Sequence, residues 1–322
     1  LYNVRYHPSA YFIQTANINL GIAPYNAGSG WEPIGNSTTR FIGTYNGNNR
    51  IISNLFIDRP TENNIGLFGY TDGSVIRNLT LDSVSVTGNT NVGGLIGYSS
   101  DTSHRIAYPA PSVENCDLNN VNVSGTSSVG GLAGYNRGGT ASSYRSLIKN
   151  SFAVGTVTAT GTNAGGLVGT NVYYATISMS FADTIVSGTD FVGGLTGITT
   201  YTAKINTSYA VGSVSGSTRV GGLSGSAEAS AVSGSYSACA VSGTLPDTGG
   251  LIGSGGTSTL SSYYDSDVSG LSDSDRGLPM TTAQMTQQAT YMVWDFVSTW
   301  TIINGVSYPY FNWQGGTNIP VP

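Results

Sequence analysis

The chain has 322 residues, 45 of them Gly, a formal net charge of −5 and only 9% charged residues, against roughly 25% in an ordinary soluble domain. Ten Arg and two Lys, Lys149 and Lys204, form no basic stripe, which argues against nucleic acid as a partner. No apolar run approaches the roughly 18 residues of a spanning helix, which argues against membrane insertion.

Ser, Thr, Asn, Gly and Tyr carry the polar surface in place of ions, a composition typical of secreted β-rich proteins. The chain begins at Leu1 without a recognisable signal segment and is expected to be a mature product or an excised piece. Residues 1–64 read as irregular N-terminal coils with a cap. They hold Gly30-Trp31-Glu32-Pro33-Ile34-Gly35, then Phe41 to Gly47 and Ile51 to Leu55.

From residue 65 to 262 one pentapeptide dominates. It runs Gly93-Gly94-Leu95-Ile96-Gly97, returns at Gly130, Gly165, Gly193, Gly221 and Gly249, and has a degenerate copy at Ile65 to Gly69. Its leucines are Leu67, Leu95, Leu132, Leu167, Leu195, Leu223 and Leu251, spaced 28, 37, 35, 28, 28 and 28. Such a period marks stacked supersecondary units. Ser151 to Val157, Ser208 to Val214 and Ser235 to Val241 repeat a second pattern, in which β-branched and aromatic residues alternate with small ones as in short strands.

A 28-residue unit cannot bury a core alone but can stack its Leu and Val into continuous inward ladders. The pattern predicts an all-β, single-stranded parallel β-helix, right-handed, of seven clear coils. The pentapeptide glycines are expected to supply positive φ at corners and close backbone approach. A propeller is the alternative, but its blades need about 40 residues.

Two consecutive intervals exceed 28, and both put their extra residues after Gly97-Tyr98 and Gly134-Tyr135. The loops, about 99–112 and 136–146, should leave the rod side by side. They carry His104, Arg105, Tyr108, Arg137, Tyr144 and Arg145, with Lys149 just beyond. Insertions in repeat proteins collect on the binding face. These residues are the candidate ligand patch, for an acidic or glycan ligand, set against the reading of two tolerated loops with solvated Arg.

Residues 263–314 hold Trp294, Trp300 and Trp313 and read as an aromatic lid over the last coil. A short helix starts after Thr281 or Thr282 and runs to about Ala289. Residues 315–322 read as a tail or linker stub. Asp265, Asp267, Asp273 and Asp275 offer oxygens for Ca²⁺ but lack the spacing of known calcium loops. No cofactor is expected.

The units resemble the GLUG motif of bacterial surface adhesins and of non-catalytic regions in some IgA-cleaving peptidases. The segments around Trp31 and from Tyr263 to Tyr310 resemble the flanking regions of such repeats. The resemblance implies a parallel β-helix at the cell surface or outside the cell, and it transfers no catalytic residue.

The expected function is a non-enzymatic adhesin stalk or binding module, meeting a host or matrix glycan or protein. A subunit that polymerises with copies of itself into a fibre is the first alternative. An enzyme on acidic polysaccharide is the second. With only His7 and His104, and with Asp82 and Asp117 in different columns, acid–base machinery is sparse. Strand alignment sets Cys116 beside Leu79 and Thr207, and Cys239 beside Gly212, so two free buried thiols are expected. Four Asn-x-Ser/Thr triplets, at Asn36, Asn78, Asn122 and Asn206, are chance matches in so Ser/Thr-rich a chain.

Overall fold

The protein is described by a computed structural model covering residues 1–101, 112–140, 145–255 and 258–322. Each repeat is one turn of a parallel β-solenoid with three faces. The pentapeptide face stacks seven strands from Phe68–Asp72 to Ile252–Ser254. A long face runs from Thr44–Asp58 through Val75–Thr87 and Ser112–Gly125. In later coils it divides into pairs such as Thr176–Ser178 and Phe181–Ser187. A short face stacks six strands from Thr90–Gly93 to Thr248–Gly249.

The repeated leucines lie one above the other inside this tube, and all seven are fully buried. From Leu95 onward each donates its backbone N–H to the next ladder leucine's carbonyl at 2.8 to 3.0 Å, ending at Leu251. Ile148, Ile177 and Ile205 form a second inward column, and Val157, Val186 and Val214 a third. Burying each such side chain contributes about 1.5–3 kcal/mol.

The pentapeptide glycines do not serve the corners. None has positive φ. They are small because neighbouring backbone presses on them. A Cβ on Gly93 would stand 2.3 Å from the Ile96 carbonyl oxygen, and one on Gly97 would stand 2.3 Å from the Asn64 carbonyl carbon. The corners instead use non-Gly residues with positive φ, in vertical files. One file is Asn64, Asn91, Ser128, Asn163, Phe191 and Arg219. Another is Asn78, Asn115, Asn150, Met179 and Thr207. Asn is the cheapest non-Gly residue in this conformation because its short side chain bonds locally.

In the second file the Asn amides link coil to coil, from Asn78 to Asn46 (3.1 Å), Asn115 to Asn78 (3.0 Å) and Asn150 to Asn115 (3.2 Å). The next file is a serine ladder: Ser151, Ser180, Ser208, Ser235 and Ser262. Each hydroxyl accepts the backbone N–H of the coil before, at 3.1 to 3.4 Å. Each also donates to the carbonyl two residues upstream, at 2.8 to 3.1 Å. The hydroxyl thus replaces the strand hydrogen bond that the corner interrupts.

Cys116 heads this file, beside Leu79 as expected. Its partner in the later coils is Ser208 rather than Thr207, because a bulge further along the strand, between Ala153 and Gly155, shifts the alignment by one. Cys239 lies beside Gly212. Both thiols are free and buried, four coils apart in different files. Burial raises both thiol pKa values, that of Cys239 to about 12.

The two ends are closed differently. At the N-terminus, Trp31 is buried, with its indole N–H on the Leu67 carbonyl. Arg5 covers its ring and pairs with Glu32. At the other end Tyr264 plugs the tube against Gly250, and Leu278–Met280 adds a last strand.

The aromatic segment is not a lid over the last coil. It folds back along the flank, where Phe152, Phe181, Tyr209 and Tyr236 stack 4.7 to 4.9 Å apart. Trp313 reaches back to Phe152 and Phe181, Phe311 packs on Tyr209, and Trp300 packs on Tyr209 and Tyr236. The segment lies there because the outward aromatic file repeats every coil and offers a continuous apolar surface on which its rings are buried. Its helix spans only Thr282–Met285, with a capping box between Thr281 and Gln284, and one 3₁₀ turn follows at Gln288–Thr290. The tail is not loose as far as Pro320, which is buried and whose carbonyl accepts the Tyr308 N–H at 3.0 Å.

Replacing Ser180 by Ala strands the Ser151 N–H and leaves the Ser178 carbonyl with only the Asn150 N–H, at 3.3 Å. A loss of about 1–3 kcal/mol is expected from denaturant midpoints. Ser180→Cys should lose less, since the Cys116 thiol already bonds the Glu114 carbonyl in that file (3.5 Å).

Candidate functional site

The two long loops leave the same corner. Ser100 is paired with Arg137 where they depart, and Ser112 with Leu147 where they return. In the next two coils this corner is a tight turn of two positive-φ residues, Tyr173-Tyr174 and Tyr201-Thr202. His104, Arg105, Tyr108 and Tyr144 of the candidate patch lie outside the described residues. Arg137 and Arg145 flank the second loop. Its base is closed by Ser146 donating to Asn136 (2.6 Å) and Asn136 donating to Asn171 (2.9 Å), all buried.

The Arg137 guanidinium sits 4.8 Å over the Tyr173 ring. Tyr173 stacks on Tyr201 at 4.7 Å and 4°. Gly138 is required beside this stack, because a Cβ there would stand 2.0 Å from the Tyr173 carbonyl oxygen. Beside the stack a groove of about 300 Å³ is lined by Arg145, Tyr174, Thr176, Thr202 and Lys204. Lys204 shares a file with Thr176 and Leu147, and Lys149 stands two residues further along the same outer face.

Both lysines of the chain and two of its arginines therefore gather at one corner. Elsewhere Arg5, Arg40, Arg59 and Arg219 pair with Glu32, Asp72, Glu62 and Asp190. Arg276 donates to the backbone carbonyls of Gly253 and Pro246. Among the described residues no carboxylate lies in ion-pair range of Arg137, Lys149 or Lys204. The nearest acids by register are the buried Asp101, whose backbone N–H donates to the Arg137 carbonyl, Glu114, across from Lys149, and Glu228, across from Thr200. Reading the loops alone missed Tyr173, Tyr174, Tyr201 and Lys204. For Tyr173 and Tyr201 the signal was an equal offset, six residues after Leu167 and Leu195.

A second outward stack, Tyr70, Tyr98 and Tyr135, runs at 4.7 Å spacing just before the loops, with Arg40 over Tyr70. Burial pushes the Tyr98 hydroxyl up to about 12.

The four aspartates weighed for calcium do not converge. Asp265 caps Ser266–Ser269 and accepts the Tyr308 hydroxyl at 2.8 Å. Asp267 accepts the Thr282 N–H, and Asp273 accepts the Gly250 N–H. Among the described residues no three His, Cys, Asp or Glu side chains cluster. Asp82 and Asp117 stay in different files, facing Asn119 and Thr80. No helix among the described residues is long and apolar enough to cross a membrane.

With this geometry in hand, known proteins place the repeat. The family described as the GLUG motif matches residues 125–158, which span one short-face strand, the pentapeptide at Gly130 and the second loop. The chain carries the GLUG motif. It is 47% identical over 85 residues to halomucin of Haloquadratum walsbyi, covering 26% of this chain and 1% of that one. It is 46% identical over 74 residues to a "Putative Gly-rich membrane protein" of Evansella cellulosilytica, covering 22% and 9%. The chain thus spans a small fraction of these curated relatives. A solved chain described as a "putative immunoglobulin A1 protease" of Bacteroides ovatus matches with a TM-score of 0.61 at 21% identity, covering 97% of this chain and 89% of that one. That likeness shows the fold.

Asp117 stands beside Phe152 at the head of the aromatic file, and burial raises its carboxyl to about 6. A folded-state pKa above the unfolded one contributes stability below pH 4 that is lost as pH rises through 6. Asp117→Asn should therefore stabilise the protein at pH 7.5, by about 1–2 kcal/mol after discounting for partial exposure. The gain should vanish near pH 4 in denaturant titrations.

Proposed function

We propose that this chain is a non-catalytic stalk, extracellular or on a cell surface, that carries a ligand-binding corner on its side. The observation behind this reading is the convergence of Arg137, Arg145, Lys149 and Lys204 with three tyrosines on one corner of a rod that is otherwise poor in charge. A solenoid holds such a corner rigid, and neighbouring coils present successive side chains in fixed register. The names of the two sequence relatives, halomucin and a Gly-rich membrane protein, fit a surface setting. The exposed corner supports a role as an adhesin toward a host or matrix glycan or protein.

Fibre formation is the weaker reading. End-to-end stacking needs an open coil edge, whereas the strands that edge the stack are all short: Tyr11–Ile13, Ile18–Asn19, Phe68–Asp72 and Thr90–Gly93 at one end, and Thr248–Gly249, Ile252–Ser254, Ser258–Leu260 and Leu278–Met280 at the other. Short edges are a common device against strand addition.

An array of glycans and matrix proteins tests the proposal with the wild-type chain and an Arg137→Ala/Tyr201→Ala/Lys204→Ala variant. The expected result is retention of wild type on at least one class, with the variant's signal falling about tenfold or more. Undiminished binding by the variant, or filaments of the purified chain in electron micrographs, would overturn it.

A further inference from the structure

The ligand of this corner can be named more closely, on the reading of the corner as a binding surface. Its cations are not randomly placed. Arg137 and Arg145 belong to one coil, Tyr173 and Tyr174 to the next, and Tyr201, Thr202 and Lys204 to the one after. Positive charge is thus separated along the axis by two coil rises, about 10 Å, with hydroxyls between.

The stack of Arg137, Tyr173 and Tyr201 occupies one face of Tyr201. On the following coil the same position is Ala229, too small to cover the other face, and Tyr201 is 57% exposed. Beyond it Glu228 turns the surface acidic, which ends the cationic footprint after three coils.

We infer that the corner takes a carboxylated polysaccharide running along the rod axis. Its carboxylates meet Arg137 and Arg145 on one coil and Lys204 two coils on, and a sugar ring rests on the open face of Tyr201. An extended β-linked sugar chain advances by nearly one coil rise per ring, so a chain with a carboxylate on every second sugar matches the charge spacing. Thr176, Thr202 and the Tyr174 hydroxyl line the groove and bond the sugar hydroxyls between them. A neutral glycan would leave Arg137 and Lys204 without a carboxylate, and an ion with no ring would leave Tyr201 unused.

The test uses the full chain and three probes: hyaluronan oligosaccharides, the same oligosaccharides with their carboxyls methyl-esterified, and dextran sulfate. Calorimetry should show hyaluronan binding that weakens about tenfold or more in Lys204→Ala and in Tyr201→Ala, and that weakens with added salt. Arg50→Ala, on the long face of the N-terminal coils, should bind as wild type, and circular dichroism melts should confirm that each variant folds. Equal binding of the esterified chain, or binding of dextran sulfate alone, overturns the carboxylate assignment while leaving a binding corner in place. Hyaluronan binding untouched by both corner variants overturns the site and the function proposed for it together. Absence of binding to all three probes overturns the ligand class, and the array then decides the corner's role independently.

Discussion

Coil-to-coil backbone hydrogen bonding at constant register is the constraint from which the rest of the rod follows. From Leu95 on, each ladder leucine reaches the next at 2.8 to 3.0 Å, and a slip of one residue would turn the buried file outward. With register held, any residue type repeated at one position becomes a column. The same arithmetic that stacks leucines inside also stacks tyrosines, asparagines and serines elsewhere. A parallel sheet of this kind needs both faces defined, and here the inner face is apolar while the outer is divided among files of quite different chemistry.

The corners show how the backbone cost is met. A left-handed residue costs roughly 1–2 kcal/mol unless its side chain compensates. In the early coils Asn78, Asn115 and Asn150 do so by bonding to each other, in a chain that starts on the Asn46 side chain. The chain of amides stops at Asn150, because Met179 follows it and cannot donate; the Asn150 amide oxygen is left without a partner. From that coil on, the serine ladder carries the corner instead. Two different side-chain solutions thus serve one backbone requirement in one molecule.

The tube itself was legible in the sequence, since a 28-residue leucine period has few other physical readings. So were the shared corner of the two loops and the two lone thiols, which depend only on counting. The role of the pentapeptide glycines was not, because close approach and positive φ leave the same mark on composition. Nor was the packing of Trp300, Phe311 and Trp313. Phe152, Phe181, Tyr209 and Tyr236 were visible as strand beginnings, yet nothing local says that alternation at that position points them outward to be covered. Of the candidate corner, Arg137 and Arg145 were found through their loops. Tyr173, Tyr201 and Lys204 were hidden because a two-residue turn leaves no insertion to notice, and Ser-, Thr- and Tyr-rich turns are ordinary in such a chain.

The back-folded aromatic segment makes the rod unequal along its length. Trp313 grips Phe152 and Phe181 while Trp294 holds Tyr236 and Tyr263, so one strap spans five successive turns. Turns before Phe152 are joined to their neighbours alone. Under tension such a stalk has a brittle half and a tough half. The unstrapped turns would peel singly, at low force, while the strapped ones must let go as a block. Arg137 precedes the strapped turns and Lys204 lies among them. A load along the shaft would draw the two apart only after its first turns had already yielded.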